Sequence, residues 1–300
     1  MRDGIAKTAR LYYLVLAVCD IGTLAVTHFL NFFLDHGLHF ITDRQFYLQW
    51  ATHYIWGCHI IRGSWYFFPH MVNWTMFLLN FERVCVVMFP LRARKWFSIY
   101  SNLYYLLFIV LIGAGIAALM GKVSNIFSTD ILGSDECLID KTDSWFVEYM
   151  ILLVIDMYLL PNSLSLLCAI ILIVKAKGEL NKRSQLTHNL GLINNNNASN
   201  MNHKRTNSSG TLAQIPGAIV AVSIAFVHAT FYLPNAFFVT VFYLTLGSLD
   251  VVVSAEMWTL FITFMVLTST PSLINFIIYF IRIPEFKEKL NCCSHSSANI

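Results

Sequence analysis

Four charged groups in the apolar runs of this 300-residue chain need weighing first, and their types and spacing suit pairing and switching rather than bond-breaking. Asp20 lies within Leu16-Ala17-Val18-Cys19-Asp20, Asp156 within a later run, and Glu82 and Arg83 are adjacent near the end of another. A charge in hydrocarbon is costly, so each must face an interior and find a partner there, and each marks a functional hypothesis. Asp20 is suited to an interior partner, a water or a cation, and Asp156 to lining a cavity. Glu82-Arg83 is either a satisfied interfacial ion pair or a switch. No span carries a paired His or Ser with a base at helical spacing, so an enzyme is the least favoured class.

The elements that position these groups are membrane spans. The chain is 57% hydrophobic and 12% charged, against roughly 25% charged in a soluble domain. A spanning helix needs about 20 mostly apolar residues, because hydrocarbon offers no water to backbone polar groups. Six stretches qualify: Leu11 to Phe33, Tyr54 to Phe89, Leu103 to Met120, Phe146 to Val174, Ile215 to Leu246 and Ala255 to Ile281. The first lacks a short apolar core ending at a small-residue cleavage site, so it reads as a span and not a signal peptide.

Basic residues gather in cytoplasmic loops. With the N-terminus inside, all of the 20 Lys and Arg residues except Arg44, Arg62, Lys122 and Lys141 fall on the inner side. Acids such as Asp130, Asp135, Glu136, Asp140 and Asp143 collect outside, so the net charge of +3 reflects a sorted topology and indicates no nucleic-acid partner. Cys58, at an outer helix end, and Cys137, in an outer loop, both face an oxidising compartment and can form a bridge. Cys292 and Cys293 follow the last span, where they are candidates for palmitoylation or part of an inert tail. Residues 175–214, with the run Asn194 to Asn197, read as a flexible inner loop. Phe286 and Leu290 share a helical face suited to the inner membrane surface.

The string Glu82-Arg83-Val84-Cys85-Val86-Val87-Met88-Phe89-Pro90-Leu91 resembles the Asp/Glu-Arg-Tyr motif that ends the third helix of rhodopsin-like G-protein-coupled receptors, including the Pro-Leu downstream. Other spans are similar in order: Leu16-Ala17 with Asp20 to the second-helix signature, and Pro161 and Pro234 to the prolines of the fifth and sixth helices. Asn275-Phe276-Ile277-Ile278-Tyr279 resembles the seventh-helix Asn-Pro-x-x-Tyr motif in an Asn-Phe form, and Phe286 the start of a short eighth helix. Cys58 and Cys137 stand where the family forms its disulfide. The resemblance implies an all-α bundle in which the six spans are helices two to seven of a seven-helix receptor. Residues 1–291 would form the receptor domain, with Met1 to Thr8 as the inner loop after an absent first helix and 292–300 as the cytoplasmic tail. Val84 replaces the motif's tyrosine, Phe276 its proline, Tyr232 a tryptophan and His228 a phenylalanine. Val72 and Pro271 stand where polar groups would help to hold a sodium ion near Asp20.

The resemblance implies a plasma-membrane receptor without a cofactor, whose partners are an extracellular ligand, the lipid bilayer and a heterotrimeric G protein. Glu82 would hold Arg83 at rest; the sixth helix, hinged at Pro234 beside Tyr232, would swing out and free it, with Asn275, Tyr279 and Asp20 supporting the change. Trp65 occupies the position of the amine receptors' ligand-binding Asp, and the last span has no Lys for an opsin Schiff base. Arg62, Trp65, Tyr66, Asn235 and Phe238 then form an aromatic and polar pocket beside acidic loops, suited to a basic or amidated peptide, unless these aromatics only pack an interface belt. The alternatives are a non-signalling fragment acting through receptor association and a transporter, the latter disfavoured by the lack of repeated halves.

Overall fold

The computed structural model describes residues 3–37, 41, 55–129, 134–139, 151–194, 222–234, 237–238, 241, 263, 267, 270–272, 274–275 and 277. Among them, four helices are long and apolar enough to cross a membrane: Thr8–Leu30, Ile55–Met88, Ile99–Lys122 and Ile151–Gly178. They match the first four expected spans, and the chain is a helical membrane protein. A shorter apolar helix, Val222–Pro234, lies within the fifth expected span, and most of the sixth falls outside the described residues.

The first span begins as α1 (Asp3–Gly22) and continues as a wider π-helix to Gly37. Next come α2 (Ile55–Met88), a short α3 (Pro90–Trp96) and α4 (Ile99–Lys122). An antiparallel hairpin of β1 (Ser124–Thr129) and β2 (Ser134–Ile139) leads on to the fourth span. That span starts at Ile151, passes through a π-turn at Ile155–Leu159 and becomes α5 (Leu160–Asn194). We label Val222–Pro234 α6.

Local chemistry sets these boundaries. Pro90 has no N–H to give, so a new helix starts with it after Phe89 closes the last turn of α2 on the Cys85 carbonyl at 2.8 Å. Ala93 and Phe97 fold this short α3 onto Cys85 and Val86. Ser98 caps α4, its Oγ accepting from the Ser101 N–H at 3.2 Å. At the other end the Ser124 hydroxyl donates to the Met120 carbonyl at 2.7 Å, and the chain turns into the hairpin.

The core lies around α2, the most enclosed of the spans. Tyr12, Leu16 and Cys19 recur at helical spacing along one face of α1 and pack on Met71, Val72, Met76 and Leu79 of α2, with Leu106 and Ile109 of α4 and Ile224 of α6 closing the cluster. The helices α2 and α4 run antiparallel and very close. A Cβ at Gly63 would lie 2.8 Å from the Ala117 carbonyl oxygen, and one at Gly121 would lie 2.8 Å from that of His59. In lipid, where tails are as apolar as leucine, such close backbone packing drives helix association.

Two details depart from expectation. The loop after α4 contains a β-hairpin, so the described residues include one strand pair beside the helices; Ile126, Phe127 and Thr129 are strand formers and Ile126 pairs with Cys137. Residues 175–194, expected to be loop, extend α5 past Lys175 because the segment is rich in the helix formers Lys, Glu, Leu and Gln. The rest of that loop lies outside the described residues.

Candidate functional site

The periodicity that buries Tyr12 and Leu16 also turns Asp20 inward, where it is 5% exposed. Ser272 donates its hydroxyl to Asp20 Oδ1 at 2.7 Å, and Asn275 Nδ2 lies 3.3 Å from Oδ2. Both carboxylate oxygens thus receive donors from residues more than 250 positions away, 252 in the case of Ser272. Hydrogen bonds to an ionised acceptor are the strong ones, which lets the acid remain in an apolar bundle. Asn275 Nδ2 is also 2.9 Å from His228 Nε2. The His228 ring stacks on Tyr232 at 5.2 Å, and Tyr232 on Tyr158 of the π-turn at 5.8 Å. Val72 is buried and apolar. Among the described residues no cluster of three or more His, Cys, Asp or Glu could hold a metal ion.

A second polar contact lies at the far end of α2. Glu82 is fully buried and its Oε1 accepts from the Thr8 hydroxyl at 2.6 Å, tying α1 to α2. Glu82 Oε2 has no hydrogen-bond partner among the described residues, and neither has Arg83 Nε. Thr8, at the edge of the segment expected to be an inner loop, thus bonds one oxygen of Glu82, whose carboxylate also feels the neighbouring Arg83 charge. Nearby, the Tyr12 hydroxyl donates to Asn102 Oδ1 at 2.8 Å and joins α1 to α4.

At the opposite end of α2, Cys58 and Cys137 form a disulfide with Cα atoms 5.6 Å apart. Arg62, one turn further along, donates through Nε to the Cys137 carbonyl at 3.0 Å and through Nη2 to the same oxygen. Its guanidinium also lies 4.6 Å from the centre of the Trp65 ring, which stacks on Tyr66. Arg62, Trp65 and Tyr66 are thus together, with Arg62 occupied in holding the hairpin against α2. Trp65 and Tyr66 are buried. Phe238 is half-buried at the far side of the sequence, while Asn235, Tyr279, Cys292 and Cys293 lie outside the described residues. Pro234 is exposed at the end of α6.

The middle of α2 carries a cluster that residue types alone did not reveal. His70 Nδ1 lies 2.7 Å from Asp156 Oδ2, the Trp74 indole donates to the Asp156 carbonyl at 3.1 Å, and Asn73 Nδ2 donates to the Met157 carbonyl at 2.7 Å. Positions 70, 73 and 74 share one helical face, so three adjacent side chains grip the π-turn. Gly113 of α4 makes the room: a Cβ there would lie 2.7 Å from His70 Cδ2. The signal that could have found the cluster is His70 itself, an imidazole on an apolar helix that needs a polar partner when buried.

No protein-family model and no curated protein matches this chain.

Proposed function

We propose that the chain is a rhodopsin-like G-protein-coupled receptor of the plasma membrane, which binds a peptide on its Cys58 side and passes that event to a heterotrimeric G protein on its Glu82 side. The observation that carries the reading is the meeting of Asp20 with Asn275. Two motifs recognised separately, at opposite ends of the sequence, supply residues that join through a hydrogen bond. Two further contacts support it. The Cys58–Cys137 disulfide ties the hairpin to α2, and Thr8 restrains Glu82 beside Arg83.

On this reading the bundle crosses the membrane six times, as helices two to seven of the seven-helix plan, and has two states that ligand and G protein bias by binding one more tightly. The Glu82–Thr8 bond holds the Glu82 ends of α1 and α2 together at rest. Activation swings the sixth helix outward about Pro234, opens a cavity there and presents Arg83 to the Gα subunit, while Tyr279 turns in to support it. The acidic loop around Asp135 and Glu136 attracts a basic peptide over the aromatic floor of Trp65 and Tyr66. The test is nucleotide exchange on purified heterotrimers by the full chain in nanodiscs. Arg83→Ala is expected to abolish exchange and leave the protein folded; exchange that survives the substitution removes Arg83 from the mechanism.

A further inference from the structure

We infer that His228 is a positioning residue, whose Nε2 fixes the Asn275 amide toward Asp20 and whose ring is in turn held by the π-turn through the stack of Tyr232 and Tyr158. The inference deepens the receptor reading, on which only its signalling consequence rests.

The argument starts from hydrogen counting. Asn275 Nδ2 is 3.3 Å from Asp20 Oδ2 and 2.9 Å from His228 Nε2, and an amide nitrogen has two hydrogens. Both are used when Nε2 accepts, which requires a neutral imidazole with its hydrogen on Nδ1, a buried atom that has no hydrogen-bond partner among the described residues. Turning the amide over would set Asn275 Oδ1 against the Asp20 carboxylate, oxygen against oxygen. His228 and Asp20 together therefore select one of the two amide orientations. A phenylalanine at 228 would keep the ring but leave one buried N–H of Asn275 without an acceptor.

The second step is what holds the His228 ring. His228 and Tyr232 are one turn apart on α6, with rings 5.2 Å apart and inclined by 19°. Tyr158 stacks on Tyr232 in turn, 5.8 Å away and inclined by 26°. Tyr158 belongs to the π-turn, which is gripped by His70, Asn73 and Trp74. A π-turn holds one residue more than an α-turn, so its release would let the fourth span re-register and turn Tyr158 away. A continuous set of packed groups thus runs from Asp156 to Asp20 through a turn whose one extra residue a change of register would absorb, and such a contiguous set can carry coupling between sites.

The experiment uses the full chain in nanodiscs with 15N-labelled histidine, His228 being assigned by its loss in His228→Gln. The expected spectrum is that of the neutral Nδ1–H tautomer; an Nε2–H tautomer or a charged ring overturns the inference. Tyr158→Leu is expected to shift this resonance, whereas Phe226→Leu, on the exposed face of α6, leaves it in place; an unshifted resonance in Tyr158→Leu overturns the relay. In a thermodynamic cycle, His228→Phe and Asn275→Leu are expected to couple by roughly threefold in the folding equilibrium, the scale of a polar contact between membrane helices. His228→Gln, which keeps an acceptor, restores most of that loss. Independent effects of the two substitutions overturn the inference. A chain with the expected tautomer and coupling that nevertheless exchanges no nucleotide on G protein refutes the receptor reading and leaves this inference standing.

Discussion

Removing the bond between His70 and Asp156 tests how the fourth span is held. His70 is 2% exposed and Asp156 26%, with 2.7 Å between their polar atoms. Breaking a fully buried ion pair from one side costs about 3–5 kcal/mol, but that figure supposes a charge sealed from water. Asp156 is partly open, and two further bonds, from Trp74 and Asn73, keep the π-turn on α2 when this one is lost. Polar pairs between membrane helices average about 0.6 kcal/mol with a maximum near 1.7. A coupling energy of about 1 kcal/mol follows, short of that maximum and above the average because the bond is short and half of it is dry. The single substitution His70→Ala should cost more, about 2 kcal/mol, since it also opens a cavity against Gly113. The assay is a double-mutant cycle of His70→Leu and Asp156→Asn, read by reversible unfolding of the full chain in bicelles. Effects that add to within about 0.3 kcal/mol would show that the two side chains do not interact and that the grip on the π-turn rests on Trp74 and Asn73 alone.

Three other outcomes follow from contacts in the structure. Thr8→Val is expected to strip Glu82 Oε1 of its donor and lower stability by about 1 kcal/mol, while Thr8→Ser keeps it; equal melting temperatures for both variants would contradict the contact. Arg62→Ala should speed hydrogen exchange across Ser124–Ile139 by about tenfold, the equivalent of one charge-assisted bond, without speeding exchange in α4. Arg62→Lys should recover only part of that protection, because one ammonium cannot reproduce the two-donor fork. Gly121→Leu is expected to force α2 and α4 apart at the His59 carbonyl and cost about 1–3 kcal/mol, measured by the same unfolding assay; wild-type stability would mean the helices are not in backbone contact there.

Much of the bundle was legible because hydrocarbon imposes length and composition on anything that crosses it. The apolar runs around α2 and α4 have the length and composition of spans, and the first of them is expected to end at Phe89, just before the Pro90 that opens α3. Asp20 was legible for the opposite reason, as a costly group that must be satisfied. Its partners were not, since nothing local in Ser272 or Asn275 states which of the bundle's interior acids they will meet. The π-turn escaped because one added residue barely disturbs an apolar run with no polar face to mark its period. His70 escaped because its partner is 86 residues away. The hairpin is masked by the acidic character of the loop after α4, although Ile126, Phe127 and Thr129 are strand formers. Thr8 is not legible as a partner because the segment before the first apolar run resembles a loop, whereas the helix starts at Asp3.

The most direct test of the receptor reading is complex formation between the purified full chain in nanodiscs and a purified heterotrimeric G protein, with nucleotide removed by apyrase. The account predicts a complex that isolates by size exclusion, dissociates when a non-hydrolysable GTP analogue is added, and does not form with Arg83→Ala. Failure to form a complex with any Gα class, or a complex indifferent to the nucleotide, would contradict it.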